Sequence, residues 1–374
     1  MKFLIISHVL HKSNQNKWFA YEPYVREMNL WIKNVNEITL VAPISIDNIT
    51  PIETAYQSKN INFKKVPNFN LLTIKNKFRA LFKIPKIIVR IYKAMIWADH
   101  IHLRCPGNIG LIGCFVQIFF PSKPKTIKYA GNWDPDSKQP WSYKLQKSII
   151  RNRFLTRHAK VLVYGEWRNQ SKNIVPFFTA TYSEKDIHKI RKREIKNYLK
   201  FIYVGALHSG KQPLLSVKII YQLKIKGYQV QLDIYGEGDE RAIIEQYIKD
   251  LDLSNEIKLH GNKSKEVIKH AFMEAHFLLF MSKSEGWPKV VAEAMFWGCV
   301  PITSKVSCVP WMLDYGNRGI LVNNDIEDII IEIDKVLQNK NNYDILSSNA
   351  QRWSQKYTLE FFENEIKKLI YETA

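Results

Sequence analysis

The sequence predicts an α/β protein made of two doubly wound, parallel-sheet domains in tandem. Three observations predict it. The chain has 374 residues, too many for one ordinary core and suited to two domains of about 150–200 residues each. Short apolar runs alternate with helical patterns from end to end, the pattern of a parallel sheet with helices on both faces. The charge also changes abruptly near the middle.

In the first half, strands are expected at 2–7, 38–42, 61–66, 100–103, 126–130 and 161–164, with helices at 21–33, 75–97, 107–120 and 141–157. In the second half, strands are expected at 201–204, 229–235, 257–260, 277–281, 300–303 and 320–322. Helices are expected there at 212–226, 239–250, 264–274, 288–297 and 326–337, and a last amphipathic helix at 357–371. The stretch 183–197 is dense in charge and poor in apolar residues, as a linker is. The expected division is a first domain 1–185, a linker 186–198, a second domain 199–355, and a tail 356–374 that returns to the first domain.

Apolar residues make up 46% and aromatic residues 13% of the chain, a globular composition. Cys105, Cys114, Cys299 and Cys308 form no metal-type spacing and read as reduced packing residues of a cytosolic protein. The opening apolar run is four residues long and suits a buried strand, not a signal peptide. The longest apolar stretch, near 107–120, is shorter than the roughly 20 residues that span a bilayer. The expected location is the cytoplasm, with peripheral attachment at the inner face of the membrane.

Net charge is +20. Residues 1–200 carry 35 Lys and Arg against 12 Asp and Glu, whereas residues 201–374 carry 20 against 23. Such one-sided basicity points to nucleic acid, an anionic membrane or an acidic substrate. No helix-turn-helix, RNA-recognition or zinc pattern accompanies it, so nucleic acid is not expected as a partner. In the run from Lys75 to Lys93, basic residues alternate with Phe78, Leu81, Phe82, Ile87 and Ile91. That is the pattern of a solvated helix face or of a helix lying on a membrane.

The chemically informative segment runs from Met281 to Pro301. It follows an apolar strand, turns at Glu285 and Gly286, and enters a helix at Pro288, where a missing N–H costs nothing. Gly298 ends that helix. The segment lies at the C-terminal edge of a parallel sheet, where open α/β folds bind ligands. The free N–H groups at the helix start suit a diphosphate. Gly286 allows close approach of the backbone. Glu285 and Glu293 are carboxylates that can each hold a diol, one on a hexose and one on a ribose.

These residues, Glu285-Gly-Trp-Pro followed by Glu293-Ala-Met, Gly298 and Pro301, resemble the E-x7-E signature of retaining GT-B glycosyltransferases, notably glycosyltransferase family 4. The turn around Gly205 followed by Lys211, the second glycine turn at Gly236, and Gly319-Ile-Leu-Val are similar to the same family. The likeness covers about 199–322. It implies the GT-B fold, two Rossmann-like domains facing a central cleft, and transfer of a sugar from a UDP- or GDP-linked donor to an acceptor hydroxyl with retention. It also implies that Glu293 binds the ribose, Glu285 the transferred sugar, and Lys211 the departing diphosphate. Gly205, Gly236, Gly286, Trp287, Lys289 and Val290 would line the donor. Trp287 reads equally as a sugar platform or as a lid on the core.

The family often has an arginine where this chain has Ala206, which leaves Lys211 alone or assisted by His208 or another basic residue. The family's Gly-Gly loop after the first strand is replaced by 7–14, without glycine. After the fifth strand, Asp134 is the candidate side chain near the reacting carbon, and a common turn residue as well. No D-x-D motif in a suitable loop suggests a metal, and no cofactor beyond the donor is expected. The acceptor is expected to be a glycan or a lipid-linked intermediate. Rival readings are an epimerase or phosphorylase on the same fold, or a nucleic-acid-binding protein.

Overall fold

The computed structural model describes every residue except 59, 70–72, 188–192, 196–197 and 372–374. The chain forms two compact units. One is Met1–Phe178 joined by the segment from Phe362 onward; the other is Thr179–Phe361. Among the described residues no helix is long and apolar enough to cross a membrane.

The first unit holds a seven-stranded parallel sheet. Its order is Ile174–Phe177, Ala159–Tyr164, Lys125–Tyr129, His100–Cys105, Lys2–Ile6, Glu37–Pro43 and Ile61–Val66. The strand order reverses between His100–Cys105 and Lys2–Ile6, which opens a crevice at their C-terminal ends. Leu4 and Ile6 pack with Ile87, Ile91, Ile112 and Ile149, so helices Ile74–Trp97, Asn108–Val116 and Trp141–Arg151 share one layer. Helix Glu22–Ile32 buries Val25, Met28 and Trp31, and the Trp31 ring stacks on Phe3 at 6.0 Å. The last helix, Leu359–Tyr371, sets Phe362 against Phe177 and Phe178, each at 5.4 Å between ring centroids. Glu363 pairs with Lys33 at 2.9 Å.

The second unit holds a six-stranded parallel sheet in the order Ile257–Gly261, Gln229–Tyr235, Tyr198–Val204, Phe277–Phe280, Val300–Ser304 and Ile320–Val322. Its core is a continuous apolar cluster that includes Phe201, Leu232, Ile234, Phe277 and Leu279. The central strand Phe277–Phe280 is buried along its whole length, which is why it reads as an unbroken apolar run. The reversal of strand order falls between Tyr198–Val204 and Phe277–Phe280, the two strands that lead into Lys211 and Glu285.

Elements the pattern missed have local reasons. A small antiparallel sheet joins Lys12–Asn14, Lys17–Tyr21 and Glu53–Ala55. Its first turn is made by Gln15 and Asn16, both at positive φ, in strands too short and polar to show alternation. Helix Trp141–Arg151 stops six residues before the expected end. Asn152 Oδ1 accepts the N–H groups of Phe154 and Leu155 and turns the chain there. Helix Lys340–Ser354 was unmarked because its surface is rich in Asn and Ser, weak helix formers.

The segment 186–198 read as a linker lies partly outside the described residues. Within its described part, Arg193 donates to the carbonyls of Phe272, Met273, Trp297 and Gly298 at 2.6–3.0 Å. One guanidinium thereby satisfies the C-terminal carbonyls of helices Lys265–Glu274 and Lys289–Phe296.

Gly236 has φ +146, and a Cβ there would stand 1.8 Å from the Gly205 carbonyl oxygen. Both neighbours are backbone and cannot swing away. Gly236→Ala is therefore expected to cost roughly 3 kcal/mol or more through strain and overpacking. Chemical denaturation of the variant measures this. Unchanged stability would show that the two turns can separate freely.

Candidate functional site

The site of the second unit is built where three strands end. Gly205 N–H donates to Tyr235 O at 2.9 Å, and Gly236 N–H to Gly261 O at 3.0 Å. Leu207 N–H donates to Glu237 O, and Glu240 N–H to Leu207 O, each at 2.9 Å. The loop 205–212 is thus fixed against the loop after Gln229–Tyr235. At its far end, Lys283 N–H donates to Gly210 O at 2.9 Å, tying this loop to the turn that holds Glu285.

Across that tie, Lys211 Nζ and Glu285 form an ion pair, with the lysine side chain 27% and the glutamate 10% exposed. The ammonium also lies 5.4 Å from the centre of the Phe280 ring. Two residues 74 positions apart therefore meet at the C-terminal edge of the sheet. The turn itself is fastened from the next loop. Ser304 Oγ donates to Ser282 O at 2.6 Å, and Ser307 Oγ to Gly286 O at 3.2 Å.

Helix Lys289–Phe296 starts at Pro288 and carries no side-chain cap on its N-terminus. Its first turn is closed by the Val291 and Ala292 N–H groups, which donate to Pro288 O at 3.0 and 3.4 Å. Glu293, one turn along, accepts a hydrogen bond from Thr181 Oγ1 at 2.8 Å. It lines a small pocket with Thr181, Tyr182, Trp287, Lys289 and Tyr357. Burial pushes the Glu293 carboxyl above its ordinary range, while the Thr181 hydroxyl and the Lys289 ammonium pull it down. The Trp287 side chain is buried among Trp311, Trp353 and Tyr357, with ring centroids 6.3–6.4 Å away. Its ring thus packs into an aromatic cluster, while its backbone belongs to the Glu285 turn.

Ala206 is exposed, and its carbonyl accepts from Tyr203 OH at 3.0 Å. His208 Nδ1 accepts the Gly210 N–H at 3.0 Å, so this imidazole shapes the turn. Lys211 is the cation that the loop directs to Glu285. Among the described residues no group of three or more His, Cys, Asp or Glu side chains is placed to hold a metal ion.

In the first unit, Asp134 Oδ1 accepts the Asp136 N–H at 2.9 Å, and its carbonyl accepts from Ser137 Oγ at 2.6 Å and Lys147 Nζ at 3.3 Å. Its carboxylate shapes its own turn. At the strand-order reversal a polar network appears that the sequence reading passed over. Arg104, at the end of His100–Cys105, forms a buried ion pair with Glu27 and lies 5.4 Å from the Tyr24 ring. His11 bonds Tyr56 OH at 2.9 Å, and burial holds it down to about 4, so it stays neutral. The clue was an arginine closing an otherwise buried strand. Thr181 and Ser307 were missed because a lone hydroxyl in a loop carries no pattern.

Two Rossmann-like units with these parallel sheets define the GT-B class of fold. Residues 184–353 match the model of the family described as glycosyl transferases group 1. That matched stretch contains Lys211, Glu285 and Glu293. An uncharacterised glycosyltransferase of Haemophilus influenzae is 26% identical over 187 residues, 49% of this chain and 51% of that protein. The amylovoran biosynthesis glycosyltransferase AmsK of Erwinia amylovora is 30% identical over 129 residues, 33% of this chain and 32% of that protein. The alignment spans about half the length of the Haemophilus relative and a third of AmsK. Among solved structures, the lipopolysaccharide outer core galactosyltransferase WaaB superposes with a TM-score of 0.70 at 16% identity, covering 100% of both chains. Anabaena HepE in complex with UDP and glucose gives 0.65 at 13%, covering 100% of this chain and 99% of that one. These likenesses establish the fold.

If Glu293 serves as a charged acceptor for a ribose diol, Glu293→Ala should weaken binding of UDP or GDP by about tenfold to a hundredfold. The pH dependence has a definite sign. The raised carboxyl takes up a proton as pH falls through a value above the usual ~4.3, so wild-type affinity should drop there, whereas Glu293→Gln should show a flat profile. Calorimetric titration across that range is the measurement. A wild-type affinity insensitive to both changes removes Glu293 from the nucleotide site.

Proposed function

We propose that the protein is a glycosyltransferase that moves a sugar from a UDP- or GDP-linked donor to an acceptor hydroxyl, with retention at the anomeric carbon. The observation that carries this reading is the meeting of Lys211 with Glu285 beside the uncapped start of helix Lys289–Phe296. A cation and the positive end of a helix dipole suit a diphosphate. A carboxylate beside them suits sugar hydroxyls. HepE, whose fold is similar, is a complex with UDP and glucose, which supports a nucleotide-sugar donor here.

In this reading the diphosphate takes Lys211 from Glu285, and the freed carboxylate accepts hydrogen bonds from the hexose. Glu293 receives the ribose hydroxyls. The bond from the anomeric carbon to the diphosphate oxygen breaks, the acceptor oxygen bonds to that carbon, and the acceptor's proton passes to the departing diphosphate. Charge growing on the leaving diphosphate is met by Lys211 and the helix dipole, pre-oriented donors that need no reorganisation. No metal is required. The names of AmsK and WaaB support a place in polysaccharide or cell-surface glycan synthesis, on the cytoplasmic side, with a glycan or lipid-linked acceptor.

Glu285→Gln should leave UDP or GDP binding within about threefold and lower transfer at least a hundredfold, since it removes a charge placed against the sugar and not the ribose. Comparing nucleotide titrations with acceptor-dependent product formation tests this; a large loss of free-nucleotide binding would reverse the roles of the two glutamates. Turnover should also persist in EDTA, because Lys211 and the helix dipole replace the hard cation. Loss in EDTA with rescue by Mg²⁺ or Mn²⁺ contradicts the metal-free mechanism. Product formed without acceptor, or only with inorganic phosphate, would indicate an epimerase or a phosphorylase.

A further inference from the structure

Helix Ile74–Trp97 turns a stripe of large apolar side chains to solvent. Phe78 is 64% exposed, Phe82 85%, Val89 51% and Ile96 57%. Spacings of four and seven place them on one line along an α-helix, opposite the buried Ile87 and Ile91. A face this apolar exceeds the scatter of single exposed residues on an ordinary surface. The neighbouring helix Asn108–Val116 and the turn after it belong to the same layer and add Phe115 and Phe119, the latter 73% exposed.

Beside the stripe lies a cationic flank. Arg79, Lys86 and Lys93 are exposed, and Arg90 donates to the Lys65 carbonyl. Between this flank and the edge strand Ile61–Val66 lies a cleft of about 470 Å³, lined by Lys64, Lys65, Arg90, Lys93, Phe63 and Trp97. Residues 54–133 contain a single acidic side chain, Asp99, and its carboxylate accepts the Lys2 N–H at 2.7 Å. Part of the basicity of this unit is internal: Lys125 Nζ is spent on the carbonyls of Phe120, Lys123 and Arg157. Lys64, Lys65, Lys86 and Lys93 of the flank and cleft, in contrast, are exposed.

We propose that this helical layer docks on an anionic lipid bilayer. Phe78, Phe82 and Phe119 enter the acyl boundary, and a phosphate headgroup seats in the cleft between Lys64, Lys65 and Lys93. An apolar stripe alone would fit many partners; the acid-free basic flank running beside it selects an anionic interface. Soluble phosphate offers no occupant for the stripe, and nucleic acid, whose bases can stack on Phe78 and Phe82, offers none for the aliphatic Val89 and Ile96.

Co-sedimentation of the full chain with two kinds of vesicle tests this, one of phosphatidylcholine alone and one of phosphatidylcholine mixed with phosphatidylglycerol. Wild type should pellet with the mixed vesicles at low salt and be largely released at high salt. Lys86→Gln with Lys93→Gln should weaken binding by about twenty-five-fold, about fivefold per neutralised charge. Phe78→Ser with Phe82→Ser should remove the fraction that resists salt. UDP or GDP affinity serves as the folding control and should not change in either variant, so a failed docking surface is distinguishable from a failed donor site. Wild type left in the supernatant with anionic vesicles overturns the proposal, as does equal capture by neutral vesicles or undiminished binding of the lysine variant. A salt-sensitive gel shift with DNA or RNA in place of vesicle binding would assign the face to nucleic acid.

Discussion

The second unit depends on a close approach of two backbone turns. Gly236 sits where any side chain would strike the Gly205 carbonyl, and Gly238 stands similarly against Leu207, with a hypothetical Cβ 2.2 Å from its carbonyl oxygen. With these two loops pressed together, the chain leaving Tyr198–Val204 is directed across the sheet edge and not out over it. Lys211 arrives beside Glu285 as a result. The geometry of the charged pair is set by absent side chains, and the ion pair itself is the consequence.

Much of this was legible in the sequence because parallel strands buried on both faces leave unbroken apolar runs, and because glycines and Pro288 mark the turns between them. The pairing of Lys211 with Glu285 was legible only as two neighbouring roles. No spacing rule joins residues 74 positions apart; the sheet order does, through the adjacency of Tyr198–Val204 and Phe277–Phe280. Illegible features depend on single hydrogen bonds. Thr181 against Glu293, Ser307 against Gly286, and Asn152 ending its helix each rest on one polar atom, which leaves no periodic trace. The Trp287 ring was open to two readings because an indole suits a sugar and a core alike; three aromatic neighbours surround it here.

The charge asymmetry acquires a structural meaning once sorted by burial. In the first unit some cations are internal fittings. Lys125 closes three carbonyls, with burial lowering it to about 8, and Lys128 lies 4.2 Å from the centre of the Tyr164 ring. Arg104 is neutralised by Glu27. Others remain on helix surfaces, where their repulsion is tolerated only because water screens it. Net charge by itself merges these populations, and only the second can act on a partner.

Arg193 carries a practical consequence for anyone dividing the chain. Its guanidinium holds four carbonyls at the ends of two helices, one of them the helix that bears Glu293. A fragment begun at the first strand, Tyr198, would look complete by its sheet and yet lack this clamp. The boundary of the second unit is therefore chemical before it is topological: the charged segment preceding the sheet is part of what keeps its helices in place.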